Sequence, residues 1–117
     1  MTRPRPHVLF PKAETPTDQE QRVARQVGGR RQRGSGASMY AKGDVDAPRF
    51  LLECKRTVHA SLSIKRAWLN KIAAEAAAQG KEPALAIEIA GGPSDAHGEV
   101  DWICLPARVF RQLIGEE

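Results

Sequence analysis

No stretch of this 117-residue chain approaches the roughly 20 consecutive apolar residues that a membrane-spanning helix needs, so no membrane partner is expected. The opening residues, MTRPRPHVLFPKAETP, also lack the continuous apolar segment of a secretory signal, and the expected setting is the cytoplasm, in association with the nucleoid. Cysteine is scarce. Cys54 and Cys104 lie in apolar runs without a CxxC pair or a histidine cluster, which argues against a disulfide framework and a structural zinc site. No internal repeat is visible. The length and the 41% hydrophobic content suit one domain with a modest core rather than a multidomain enzyme.

What is present is unevenly distributed charge. The net charge is +4, but residues 1–36 hold eight Lys/Arg (Arg3, Arg5, Lys12, Arg22, Arg25, Arg30, Arg31, Arg33) against Glu14, Asp18 and Glu20. The remainder is almost balanced. A basic segment of this kind binds polyanions by releasing their counterions, although a solvated face or a loose tail has the same composition.

Four prolines within residues 1–16 mark an extended or disordered arm, leaving 17–117 as the folded domain. Thr17 followed by Glu20 forms a capping-box pattern, and Glu20, Val23, Ala24 and Val27 share a helical stripe that stops at Gly28-Gly29, giving a helix over about 18–27. The basic, glycine- and serine-rich RRQRGSGAS follows as a loop able to approach a phosphate closely. DVDAPRFLLECKRTV reads as a two-stranded hairpin turning near Ala47-Pro48, with its second strand over about 49–56. A long helix capped by Ser61 or Ser63 and stopped at Gly80 packs through Leu69, Ile72, Ala73 and Ala76. EPALAIEIA and VDWICL are two further strands, and PARVFRQLI is a last helix. The order gives a mixed α/β domain with a helix crossing between two strands.

The residues with chemistry gather at the hairpin. Asp44 belongs to its first strand; on its second, Leu51, Glu53 and Lys55 share one face while Phe50, Leu52 and Cys54 share the other. Two carboxylates on adjacent strands with a lysine nearby can hold a hard divalent cation beside a positioned water. Phosphodiester hydrolysis requires a cation to neutralise the phosphate and polarise the attacking water. Asp46 competes with Asp44, because both fall on the same strand face. An exposed Glu53–Lys55 charge pair, and Glu20 as a simple capping partner of Thr17, are the plainer readings of those residues.

The runs GSGAS (34–38), KGDV (42–45) and FLLECKRT (50–57) resemble the PD-(D/E)xK nuclease superfamily, specifically the small Holliday-junction resolvases of archaea and their phage-encoded relatives. The similarity extends from about Glu20 to the last helix and includes WLNKIAAEAAAQGKEPALAIEI. The resemblance implies a restriction-endonuclease-like, five-stranded mixed sheet between helices, a homodimer, dependence on Mg²⁺ with Mn²⁺ able to substitute, and paired cuts in branched DNA. By the same resemblance Asp44, Glu53, Lys55 and Glu20 form the catalytic set, and Ser35 faces the scissile phosphate. Gly43 stands where the motif's name has proline.

On this reading Asp44, Glu53, the Cys54 backbone carbonyl and Glu20 bind the metal, while Lys55 orients or helps deprotonate the attacking water. Arg30, Arg31, Arg33, Ser35 and Lys42 meet the DNA. Lys65, Arg66 and Lys71 are either further phosphate contacts or a solvated helix face. Cys54 is a core residue and not a nucleophile. Asp95, His97, Glu99 and Asp101 alternate like a second ligand set, but Gly91, Gly92, Pro93 and Gly98 favour a turn. Trp68 and Trp102 are expected to pack, and Val109, Phe110 and Leu113 are candidate dimer contacts. The competing functions are a nuclease of the same fold acting on flaps, single strands or duplexes, and a non-catalytic basic DNA-binding module.

Overall fold

A computed structural model of the protein describes residues 15–32, 43–91 and 94–115. The expected arm before Thr15, and Arg33, Ser35 and Lys42, lie outside the described residues. Helix α1 spans Pro16–Val27. It begins two residues earlier than the capping pattern of Thr17 and Glu20 suggests, because Thr15 is the N-cap and Asp18 completes the capping box. Pro16 explains the shift: its fixed φ suits the first helical position, where the missing N–H would have no partner. Gly28 ends the helix in the left-handed conformation, at φ 68°.

Among the described residues five strands form one sheet, in spatial order β1 (Arg30–Arg31), β2 (Val45–Asp46), β3 (Phe50–Thr57), β4 (Glu82–Ile89) and β5 (Trp102–Cys104). β3 and β4 are parallel and every other neighbouring pair is antiparallel. The protein is thus an α/β domain with a mixed sheet flanked by helices, as expected. Arg30 and Arg31, expected to open a loop, instead form an edge strand opposite Asp46 and Val45. Two residues are too few for a periodicity to show in the sequence, and only pairing with β2 defines them.

β3 is covered on both faces. On one, Leu52 joins Val23, Ala24, Val45, Ala84 and Ala86 beneath α1, with Cys54 packed against them. On the other, Leu51 joins Leu85 and the Ile72 and Ala76 side chains of α2, which spans Arg66–Ala78. Strict alternation along the strand generates these two cores. The Leu51, Glu53, Lys55 face is therefore covered as well as the Phe50, Leu52, Cys54 face: Leu51 has no exposure and Glu53 is buried too.

Helix α2 starts at Arg66 rather than near Ser61 or Ser63, and neither serine caps it, since the N-cap is Lys65. Residues 58–65 bury no side chain fully, so no packing offsets the cost of nucleating helix there. Leu69 and Ala73 are exposed, leaving Ile72 and Ala76 as the packing stripe. The last helix, α3 (Ala107–Leu113), buries Val109 completely.

Gln19 is the polar residue most deeply set in the core, 1% exposed. Its Nε2 donates to the backbone carbonyls of Lys55 and Ala86, at 3.1 and 3.3 Å, tying α1 to both central strands. Gln19→Leu removes the donor and leaves these carbonyls without it. The expected outcome is a loss of about 1–3 kcal/mol in urea unfolding, with the secondary-structure content unchanged.

Candidate active site

The hairpin brings Asp44 and Glu53 together. Val45 lies opposite Leu52 and Asp46 opposite Leu51, so the antiparallel register carried one step further sets Asp44 against Glu53. Asp44 N–H donates to the Leu52 carbonyl at 2.8 Å, and its Oδ2 accepts the Cys54 N–H at 2.8 Å. The side chain thus takes a bond from the β3 backbone just where β2 begins. Gly43 precedes it with φ 77°, a conformation closed to proline, and a Cβ there would come within 2.7 Å of Leu51.

Glu53 points from β3 to the α2 side of the sheet. Its Oε2 pairs with Lys55 Nζ at 3.1 Å, while Oε1 is 3.5 Å from Lys71 Nζ. Oε1 is buried and has no hydrogen-bond partner. The Lys55 ammonium in turn lies 4.5 Å from the Trp68 ring centroid, a cation–π contact that fixes it beneath the start of α2. Trp68 is therefore more than the plain packing residue expected, and Lys71 is not merely a solvated charge. Neither role was legible, because both depend on where α2 crosses the sheet.

Glu20 joins from α1, released from the capping role once Thr15 and Asp18 fill it. Its Oε1 accepts from Arg31 Nε at 2.9 Å. Asp44 responds to all these neighbours: burial, then the negative charges of Glu53 and Glu20, push its pKa up to about 6, against the opposing Cys54 hydrogen bond and the Lys55 charge. Cys54, part-buried and near several carboxylates, has its thiol pushed far upward, consistent with a residue packed against the core and not a nucleophile.

Other expected residues sit elsewhere. Asp46 pairs with Lys81 and, at 3.9 Å, with Arg30, and it opposes Leu51 rather than Glu53; geometry therefore puts Asp44 in the cluster. Arg30 is exposed, whereas Arg31 is committed to Glu20. The alternating acidic set does not converge: Asp95 accepts the His97 and Glu99 N–H groups, and Glu99 accepts from Gln26. Asp101 is buried in a bidentate clamp from Arg22, at 2.6 and 2.8 Å, and Arg22 also reaches Glu88. In the sequence Arg22 counts only as one of the basic residues of the first third and of the first helix, and nothing local marks it as an internal clamp. Trp102, expected to pack, is 51% exposed on the edge strand.

Among the described residues, no three His, Cys, Asp or Glu side chains stand together as a ready metal cage. The donor chemistry nevertheless suits Mg²⁺ or Mn²⁺. Glu53 Oε1 is a buried oxygen without a hydrogen bond, and Asp44 carries a carboxylate whose ionisation is opposed by two others. A hard dication would relieve both conditions. The chain matches no family model, no curated protein and no solved structure.

The raised pKa sets a pH dependence. The folded protein holds the Asp44 proton more tightly than the unfolded chain, so this group favours folding below pH 4 and that contribution is lost as pH rises to about 6. Asp44→Asn keeps an acceptor for the Cys54 N–H and removes the charge. In metal-free buffer at pH 8 it is expected to be more stable than the parent, by about 1–2 kcal/mol after allowing for solvent screening. At pH 4 the two converge, and thermal melts at both pH values check this.

Proposed function

We propose that this chain is a Mg²⁺-dependent DNA endonuclease of the PD-(D/E)xK type, with Mn²⁺ able to substitute, acting on four-way or related branched junctions. The observation that carries this reading is the meeting of Asp44, Glu53 and Lys55 across one hairpin, with a buried Glu53 oxygen lacking any hydrogen bond. Asp44 and Glu53 would hold the cation, with the Cys54 carbonyl and Glu20 as further ligands. When bound, the ion would neutralise phosphate charge and lower the pKa of a coordinated water.

The residues divide the remaining work. The Cys54 N–H holds the Asp44 carboxylate in one orientation, and Gln19 holds the backbone of Lys55. Lys55, salt-bridged to Glu53 and held by Trp68, is suited to orient the attacking water and to stabilise charge developing on the phosphate. Glu20 places negative charge near Asp44 that raises its pKa, a cost that a bound cation would offset. Exposed Arg30 supplies a phosphate contact at the edge of the sheet. A non-catalytic DNA-binding module is the alternative, favoured by the internal cationic partners that Glu53 and Glu20 already possess.

Labelled four-way junction, flap, duplex and single-stranded DNA incubated with Mg²⁺, Mn²⁺ or EDTA separate these readings. Metal-dependent paired nicks in the junction, reduced at least 100-fold by Glu53→Ala, are the expected result, since a metal ligand contributes several kcal/mol to the transition state. Salt-sensitive, EDTA-indifferent binding without product would establish the module instead.

Symmetric cutting of a junction needs two sites related by a two-fold axis, so the functional unit proposed is a homodimer. Phe110 and Leu113 are each more than half exposed and suit its interface, whereas Val109 is core and leaves the candidate set. Phe110→Glu combined with Leu113→Glu is expected to yield a monomer in sedimentation that nicks single strands without pairing the cuts.

A further inference from the structure

Lys71 stands in a position that a bound cation would contest. Its ammonium spans two elements, 3.5 Å from Glu53 Oε1 on β3 and 3.2 Å from Glu75 Oε2 one turn along α2. The contact with Glu53 lacks hydrogen-bond geometry, as Oε1 has no hydrogen-bond partner. Lys55 is anchored differently: it is less exposed, it approaches Glu53 more closely and it is held over Trp68. The Lys71 side chain is 56% exposed, and Glu75 offers it a second berth on its own helix, so it can leave Glu53 without losing an ionic partner.

Resting on the metal-dependent reading above, we propose that Lys71 is a displaceable counter-ion of Glu53. It neutralises the buried carboxylate in the metal-free protein, yields Oε1 to the incoming divalent cation, and swings on its Glu75 tether toward the DNA backbone. Two consequences oppose each other. Lys71 weakens metal binding, because its ammonium competes for the same oxygen, and it strengthens substrate binding, because once displaced it adds one phosphate contact. A lysine that merely decorates a solvated helix face does neither.

The test is Mn²⁺ titration calorimetry on the full chain at pH 8, without DNA, for the parent, Lys71→Met, Lys71→Arg and Glu75→Gln. Lys71→Met keeps the aliphatic stem and is expected to bind Mn²⁺ roughly two- to five-fold more tightly, the range of a partly exposed ion pair. Lys71→Arg keeps the cation and is expected to bind as the parent does. Glu75→Gln removes the alternative berth and is expected to weaken Mn²⁺ binding, opposite in sign to Lys71→Met. With saturating metal, Lys71→Met is further expected to raise KM for junction DNA several-fold with little change in kcat, and to lower the salt dependence of binding by about one phosphate contact. Parent binding of Mn²⁺ with an unchanged or weaker affinity in Lys71→Met, confirmed as folded by its melting curve, overturns the counter-ion role while leaving the nuclease reading intact. Failure of the parent itself to bind Mn²⁺ overturns both.

Discussion

A strand covered on both faces can carry charge only where a neighbouring element answers it. β3 is such a strand: Leu52 and Cys54 are pressed toward α1, and Leu51 lies under α2, so Glu53 and Lys55 follow Leu51 to the α2 side and into partial burial. An isolated carboxylate at such a depth carries a desolvation cost. Glu53 is retained by Lys55 and Lys71, and Lys55 by the ring of Trp68. The candidate site is thus a consequence of sandwiching the central strand, and the second helix is as much part of it as the hairpin.

The first helix contributes from the opposite side. Gln19 reaches through to the Lys55 and Ala86 carbonyls, binding α1 to both partners of the parallel β3–β4 pair. Arg22, one turn further along, clamps buried Asp101 and Glu88, securing α1 to β4 and to the segment entering β5. Glu20, between them, is set near the Asp44 end of the hairpin, where its charge bears on Asp44. Three consecutive functions along one helix, a backbone tether, a site carboxylate and an ion clamp, fix α1 against the sheet to a precision that apolar contact alone does not supply, since hydrophobic burial is non-directional.

Electrostatic crowding at Asp44 is the property most informative about chemistry. Structural ion pairs ordinarily lower a carboxylate's pKa, whereas here burial and two further carboxylates raise it to about 6 despite the Cys54 hydrogen bond. Such an arrangement is costly in the bare protein, and under the proposed reading a dication sharing the site would offset that cost. That asymmetry links the fold to the proposed activity more directly than the presence of any one residue, because perturbed ionisation in a cluster is a common mark of functional sites.

Most element types and their order were legible in the amino-acid sequence, since alternating and helical periodicities are local: the hairpin, the Glu82–Ile89 strand and the three helices among the described residues all emerge from it. So was the pairing of Asp44 with Glu53, because a tight hairpin restricts which residues can face each other; the choice of Asp44 over Asp46 rested on the resemblance of the KGDV run, and the register sets Asp46 against Leu51 instead. Helix starts were less legible: Pro16 and Thr15 outcompeted the equally plausible Thr17, and the serines before α2 lacked any buried contact to support a turn. The edge strand at Arg30–Arg31, the Gln19 tether, the Arg22 clamp and the approach of Trp68 and Lys71 to Lys55 and Glu53 were decided only by tertiary structure. Each joins residues far apart in the chain, and their relative positions depend on how helices cross the sheet, for which neither side-chain periodicity nor local propensity carries information.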